Sequence, residues 1–147
     1  MATTQDVIAA PPDRVFEVLA DPETYADWVV GSSEIRDADA SWPAVGSRFH
    51  HSVGVWPLRV KDNTKVIAVD PPLRLKMHAR ARPLGTACVE LVLETHPQGT
   101  HVTMRETAGD TLSLLAINPL TEWLVRLRNV ESLRRLKRIA ETGVVKA

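Results

Sequence analysis

The chain has one cysteine, Cys88, among its 147 residues. An intrachain disulfide is therefore excluded, and no thiolate set exists to hold a metal. Glycine is sparse, with 7 residues, and no Gly-rich loop precedes a helix to cradle phosphate. No G-x-S-x-G occurs, so there is no nucleophile elbow. Net charge is also absent. The 18 basic and 18 acidic residues balance, and no global field favours nucleic acid or an anionic membrane. No apolar run approaches the ~20 residues of a membrane span. The opening MATTQDVIAAPPD has neither a basic n-region nor a long apolar h-region, so a signal peptide is not expected. A reduced, cytoplasmic setting is the resulting expectation. Aromatics make up 5% of the chain, yet four of them are tryptophans: Trp28, Trp42, Trp56 and Trp123.

What the sequence does have is a long helical pattern from Asn118 to Thr142, NPLTEWLVRLRNVESLRRLKRIAET. Asn118 has the chemistry of an N-cap and Pro119 suits the first helical position. Basic residues gather towards the negative end, and Gly143 is the expected stop. Leu120, Trp123, Leu127 and Val130 recur at helical spacing; Leu133, Leu136 and Ala140 continue the stripe with some drift. Such a helix needs an apolar surface to lie on.

The remaining chain supplies one. Thr3 to Ala9 reads as a first strand closed by Pro11-Pro12. A short helix from Asp13 ends at Asp21-Pro22. A second, from Pro22 to about Val30, carries Tyr25, Trp28 and Val29 and stops at Gly31. Beyond it the period changes from 3.6 towards 2. Ser33–Ala38, Arg48–Val55, Leu58–Val69, Leu73–Arg82, Thr86–Glu94 and His101–Glu106 read as strands. Asp70-Pro71-Pro72 and Pro97-Gln98-Gly99 mark tight turns. Short connections make the sheet antiparallel, clean alternation leaves one face wet, and a sheet of this size curls. The expected architecture is α+β in a single domain, residues 1–147. A curved antiparallel sheet of about seven strands wraps around a long C-terminal helix, with two short helices after the first strand. Residues 110–117 read as either an extra helical turn or a lid-like loop.

Four stretches carry a resemblance. They are Ala10-Pro11-Pro12-Asp13-Arg14-Val15-Phe16-Glu17-Val18-Leu19-Ala20-Asp21-Pro22-Glu23, the following Tyr25-Ala26-Asp27-Trp28, the segment VIAVDPPLRL at 66–75, and LRNVESLRRLKRIAE at 127–141. Together they resemble the SRPBCC superfamily (START, polyketide cyclase and Bet v 1-like domains), and within it the bacterial polyketide cyclase/dehydrase-like members. The resemblance implies a helix-grip fold with an apolar cavity between sheet and long helix. It does not imply one reaction, so function has to be argued from the site.

If the apolar face of each strand looks inward, the polar residues on that face are informative. His51 shares its face with Phe49 and Val53, and Glu106 with Val102 and Met104. The two read either as a catalytic acid/base pair or as hydrogen-bond anchors for a ligand. The alternative reading makes His51 a satisfied core histidine and places Glu106 at the sheet's end, wet or paired with Arg105 or a helix arginine. Tyr25, Trp28, Phe49, Trp56, Met77, Met104, Trp123 and Leu127 are candidates for a ligand-binding wall. His50 and His51 point to opposite faces, and no other histidines have metal-ligand spacing, so neither a metal nor another cofactor is expected. Lys76, Arg80 and Arg82 on the outer sheet face should pair with Glu90 and Glu94. Three functions remain. The first is carriage of a small hydrophobic molecule (a lipid, polyketide or aromatic compound). The second is polyketide cyclase/dehydrase-type turnover by His51 and Glu106. The third is an interaction module that meets a partner or a second copy, so that monomer and homodimer both stay open.

Overall fold

The computed structural model describes residues 2–30, 32–53, 60–81, 85–108 and 119–143. Its strands are β1 (Ala2–Ile8), β2 (Ser32–Ala38), β3 (Arg48–Val53), β4 (Val60–Asp70), β5 (Arg74–Ala81), β6 (Gly85–His96) and β7 (Gly99–Ala108). The helices are α1 (Pro12–Leu19), α2 (Tyr25–Trp28) and α3 (Pro119–Thr142). The 7 strands form one antiparallel sheet in the order β1-β7-β6-β5-β4-β3-β2. Strands β2 to β7 meander, and β1 closes onto β7. The two short helices therefore carry the chain from one edge strand to the other. This is the α+β helix-grip arrangement.

The turns fall where prolines and glycines mark them. In the β6–β7 hairpin His96 pairs with Gly99 across Pro97-Gln98. Gly99 has φ +138°, and a Cβ there would lie 2.2 Å from the Ile8 carbonyl oxygen, so only glycine fits. The β4–β5 turn closes with Leu73 N–H donating to Asp70 O at 2.8 Å. Leu73 itself belongs to this turn and is exposed, not the first inward residue of β5. A bulge between Val66 and Ala68 also shifts register, turning Ile67 outward.

The second short helix is shorter than its sequence suggests. A 3₁₀ turn at Pro22–Thr24 comes first, with Asp21 accepting from Glu23 N–H. Then α2 makes one turn and ends at Trp28. Thr24 Oγ1 lies 2.9 Å from Val18 O and 2.8 Å from Asp21 O, fastening the corner between the helices. On the outer sheet face Glu90 is held by Arg74 (2.6 Å) and Arg105 (3.3 Å). Those hydrogen bonds, the Arg74 one foremost, hold its carboxyl below the usual range.

Helix α3 ends as expected, with Gly143 at φ +75° and its N–H on Ile139 O. Arg14 of α1 adds donors to the last carbonyls, Nε to Ala140 O at 3.3 Å and Nη2 to Ile139 O at 3.4 Å. Glu141 accepts from Ala9 N–H at 2.7 Å, and Lys137 lies 3.8 Å from Asp6. Leu133, Leu136, Ile139 and Ala140 join Ile8, Val15, Val18, Leu19 and Val102 in the core.

The first half of α3 corrects the sequence reading. Trp123, Leu127 and Val130 are 56%, 48% and 51% exposed, as is Leu124 at 53%. Among the described side chains of this half, which begin at Trp123, the inward residues are Val125, Asn129 and Ser132. The drift after Val130 marks the junction of two stripes, roughly 140° apart at ~100° per residue. One helix turns one face to the core, and the second half's four apolar residues determine which. The N-cap at Asn118, residues 110–117, the stop at Gly31 and Trp56 lie outside the described residues.

Candidate ligand-binding site

Above β3 the two short helices and the β2–β3 connection build an aromatic group. Tyr25 sits 4.8 Å from both Trp28 and Phe49, centroid to centroid, and 5.7 Å edge-on from Trp42. Trp42 lies 4.7 Å from Phe49, and His51 continues the row at 5.5 Å. All five side chains are buried. The Tyr25 hydroxyl and Trp42 Nε1 both donate to Leu19 O, at 2.8 and 3.1 Å. This shared carbonyl at the end of α1 fixes both rings. Burial, with the charge of Asp21 adding, lifts the Tyr25 phenol far above its usual range. Tyr25 is therefore a permanent donor and has no capacity as a base. Trp42 was not among the wall candidates. Its position before Pro43 disguises it as turn punctuation, and its spacing gives no face.

The inward sheet face below is apolar. Met77 pairs across to Val66 and Val89, and Met104 to Leu91 and Thr4. Both methionines are buried. Polar groups interrupt this face, among them His51 and Glu106. On β3 His51 Nε2 lies 3.0 Å from the Thr64 hydroxyl of β4, with Asp62 as its register partner. On β7 Glu106 is 4% exposed and receives Arg128 Nη2 of α3. The same Nη2 donates to Asn129 Oδ1 at 3.3 Å. That bond orients the Asn129 amide, leaving its NH₂ pointing away.

His51 and Glu106 stand far apart in the strand order of the sheet. They occupy β3 and β7 with β4, β5 and β6 between them. Four strand spacings are about 19 Å along the sheet. Each is engaged locally instead. Asn129 Nδ2, Arg128 Nε and Trp28 Nε1 are buried donors without an acceptor among the described residues. Val30 N–H, two residues after Trp28, donates to Ser132 Oγ, one turn beyond Asn129, at 3.0 Å. Sequence spacing alone does not single out Arg128 or Asn129 among the polar residues of the helix. Trp123 and Leu127 stand on the opposite face of α3 and belong to no inward wall.

Comparisons with known proteins agree on the architecture. The chain is similar over 95% of its length to protein CV1439 from Chromobacterium violaceum, covering 96% of that chain, with TM-score 0.74 and 20% identity. TTHA0849 from Thermus thermophilus gives TM-score 0.74 at 16% identity, with 97% of each chain covered. The di-domain ARO/CYC StfQ from the steffimycin biosynthetic pathway gives 0.73 at 13% identity, with 97% of this chain covering 51% of that one. At these identities the likeness is one of fold alone. No curated protein matches the sequence. A family profile described as polyketide cyclase / dehydrase and lipid transport matches residues 2–141, and with nearly the whole chain covered the protein belongs to that family.

Proposed function

We propose that the protein binds and carries a small hydrophobic ligand between the inward sheet face and α3, without chemical turnover. The observation that carries this reading is the separation of His51 from Glu106. An acid/base pair needs both groups within hydrogen-bond reach of one substrate. Here each is held by its own neighbour, Thr64 or Arg128, on strands four spacings apart. The wall is Tyr25, Trp28, Phe49, Met77 and Met104, with His51 and Glu106 as anchors at its polar margins. Apolar burial supplies the driving force, and the donors of Trp28, Arg128 and Asn129 would take an oxygen of the ligand. Turnover of the cyclase type is the second reading, favoured by the printed description of the family and by the ARO/CYC designation of StfQ.

Native mass spectrometry of the purified protein tests the first reading. A co-purified small molecule, or a melting temperature raised by lipids, polyketides or polycyclic aromatics, is the expected result. If none of these binds, carriage is wrong. If a polyketide chain is converted and the conversion disappears in His51→Gln or Glu106→Gln while binding persists, the cyclase reading replaces it.

A further inference from the structure

The outer face of α3 is unusual for a helix that lies on a sheet. Trp123, Leu124, Leu127 and Val130 are all about half exposed and cover its first half. Trp123, Leu127 and Val130 are spaced i, i+4, i+7, so they form one continuous strip. The same outer face carries Arg126 at the strip's margin and continues into Arg134 and Arg138, all exposed. In all, α3 has six basic and three acidic residues, although the chain as a whole is neutral. Helix α3 is therefore a local concentration of positive charge. Glu131 offsets part of it, lying 3.6 Å from Arg134 and 3.2 Å from Arg135. Arg126 and Arg138 have no ion pair among the described residues.

We infer that this face docks on an anionic lipid bilayer, with Trp123, Leu124, Leu127 and Val130 entering the headgroup boundary and Arg126, Arg134 and Arg138 contacting lipid phosphates. An exposed apolar strip rimmed by guanidinium groups is what an interfacial amphipathic helix requires. Tryptophan suits the boundary, since its ring is apolar and its N–H remains wet. The charge complementarity is specific to anionic lipid. A neutral bilayer would meet the strip but not the arginines, and a soluble polyanion would meet the arginines but not the strip. The inference does not depend on which molecule the interior takes, because the buried face of α3 is a different set of residues.

Co-sedimentation with vesicles decides it. The full chain should bind vesicles of equimolar phosphatidylglycerol and phosphatidylcholine at low salt and bind pure phosphatidylcholine at least about tenfold more weakly. Raising the salt to about 0.5 M should remove most of the difference. The double variant Trp123→Ala/Leu127→Ala should keep the wild-type melting temperature and lose about tenfold or more in vesicle binding. Arg134→Gln/Arg138→Gln should lose about tenfold on anionic vesicles only. Vesicle binding should shift Trp fluorescence to the blue in wild type and not in Trp123→Ala. Absence of vesicle binding, equal affinity for both vesicle types, or full binding by either double variant overturns the inference. So does self-association by light scattering that Trp123→Ala/Leu127→Ala abolishes, which would assign the strip to a second copy.

Discussion

The two halves of α3 have opposite polarity. From Leu133 onward the buried face is apolar, the outer face is charged, and Arg14, Glu141 and Lys137 tie the end to α1 and β1. Before Leu133 the buried face carries Val125, Asn129 and Ser132 beside the Arg128–Glu106 pair, and Trp123, Leu124, Leu127 and Val130 are exposed. Burial and fastening are concentrated in the second half, where the helix is anchored. The first half leaves donors unpaired inside and apolar surface outside, which suits contact with other molecules better than it suits folding. The sharpest test compares one residue from each half. Leu136→Ala, at a fully buried position, should cost about 3 to 5 kcal/mol. Val125→Ala should cost about 1 to 2 kcal/mol, two lost methyl contacts at a half-committed interface. Denaturant melts give both values, and equal losses would erase the distinction between the halves.

The ion pair inside the first half comes next in size. Arg128→Met leaves the Glu106 carboxylate buried without its cation, which typically costs about 3 to 5 kcal/mol. The guanidinium is 38% exposed, so the loss should fall near about 2 to 3 kcal/mol. Adding Glu106→Gln should restore most of it, because an amide is far less costly to bury than an unpaired charge. If the double variant is no more stable than the single one, the pair is not what holds Glu106 inside.

The same contrast explains what could be read from the sequence. Alternation gave the strands, the proline and glycine turns gave their order, and residues 10–28 gave the short helices. These signals are local, and the sheet follows from them. The inward placement of His51 and Glu106 followed from parity alone, as did that of Met77 and Met104. The orientation of α3 did not, because the sequence contains two apolar stripes and only packing against β1 and α1 selects between them. Arg128 and Asn129 became interior for that reason alone. Trp42 was hidden differently: its burial depends on Leu19 O and Phe49, which are distant in sequence. Arg82 lies outside the described residues, and the expected pairing of Glu90 with Lys76 or Arg80 missed for a related reason. Lys76 is its register partner, yet the reach of Arg74 from the neighbouring pair and of Arg105 from β7 prevails.

Tyr25 offers a smaller test in the aromatic group. Tyr25→Phe removes a buried hydrogen bond to Leu19 O and should cost about 1 kcal/mol at neutral pH. Its folded pKa lies above the ordinary value of 10.0, so its contribution is complete below that pH and is lost as pH rises beyond it. One unit above, the unfolded chain gains about 1.4 kcal/mol by ionising while the native chain does not. The order of stability should therefore reverse, with Tyr25→Phe the more stable protein near pH 11. Tyr25 is the only tyrosine, so tyrosinate absorbance reports it directly. Ionisation at an ordinary pKa in the native protein would mean the aromatic group is open to water.

The smallest expected effect bears most directly on the two stripes. If Trp123 and Leu127 lined the interior, truncating or polarising them would open a cavity or bury an amide, and each would cost about 3 kcal/mol or more. Exposed as they are, Trp123→Gln and Leu127→Gln should each change stability by less than about 0.5 kcal/mol. Neither should alter the binding of an interior ligand, because the wall is on the other side of the helix. A loss of several kcal/mol in either variant would mean that the first half of α3 is turned the other way in solution. It would move Arg128 and Asn129 outward, and the Glu106 pair, the unpaired donors and the membrane-facing strip would all have to be abandoned together. One pair of melting curves thus tests the rotation of the helix, on which the first half's assignment rests.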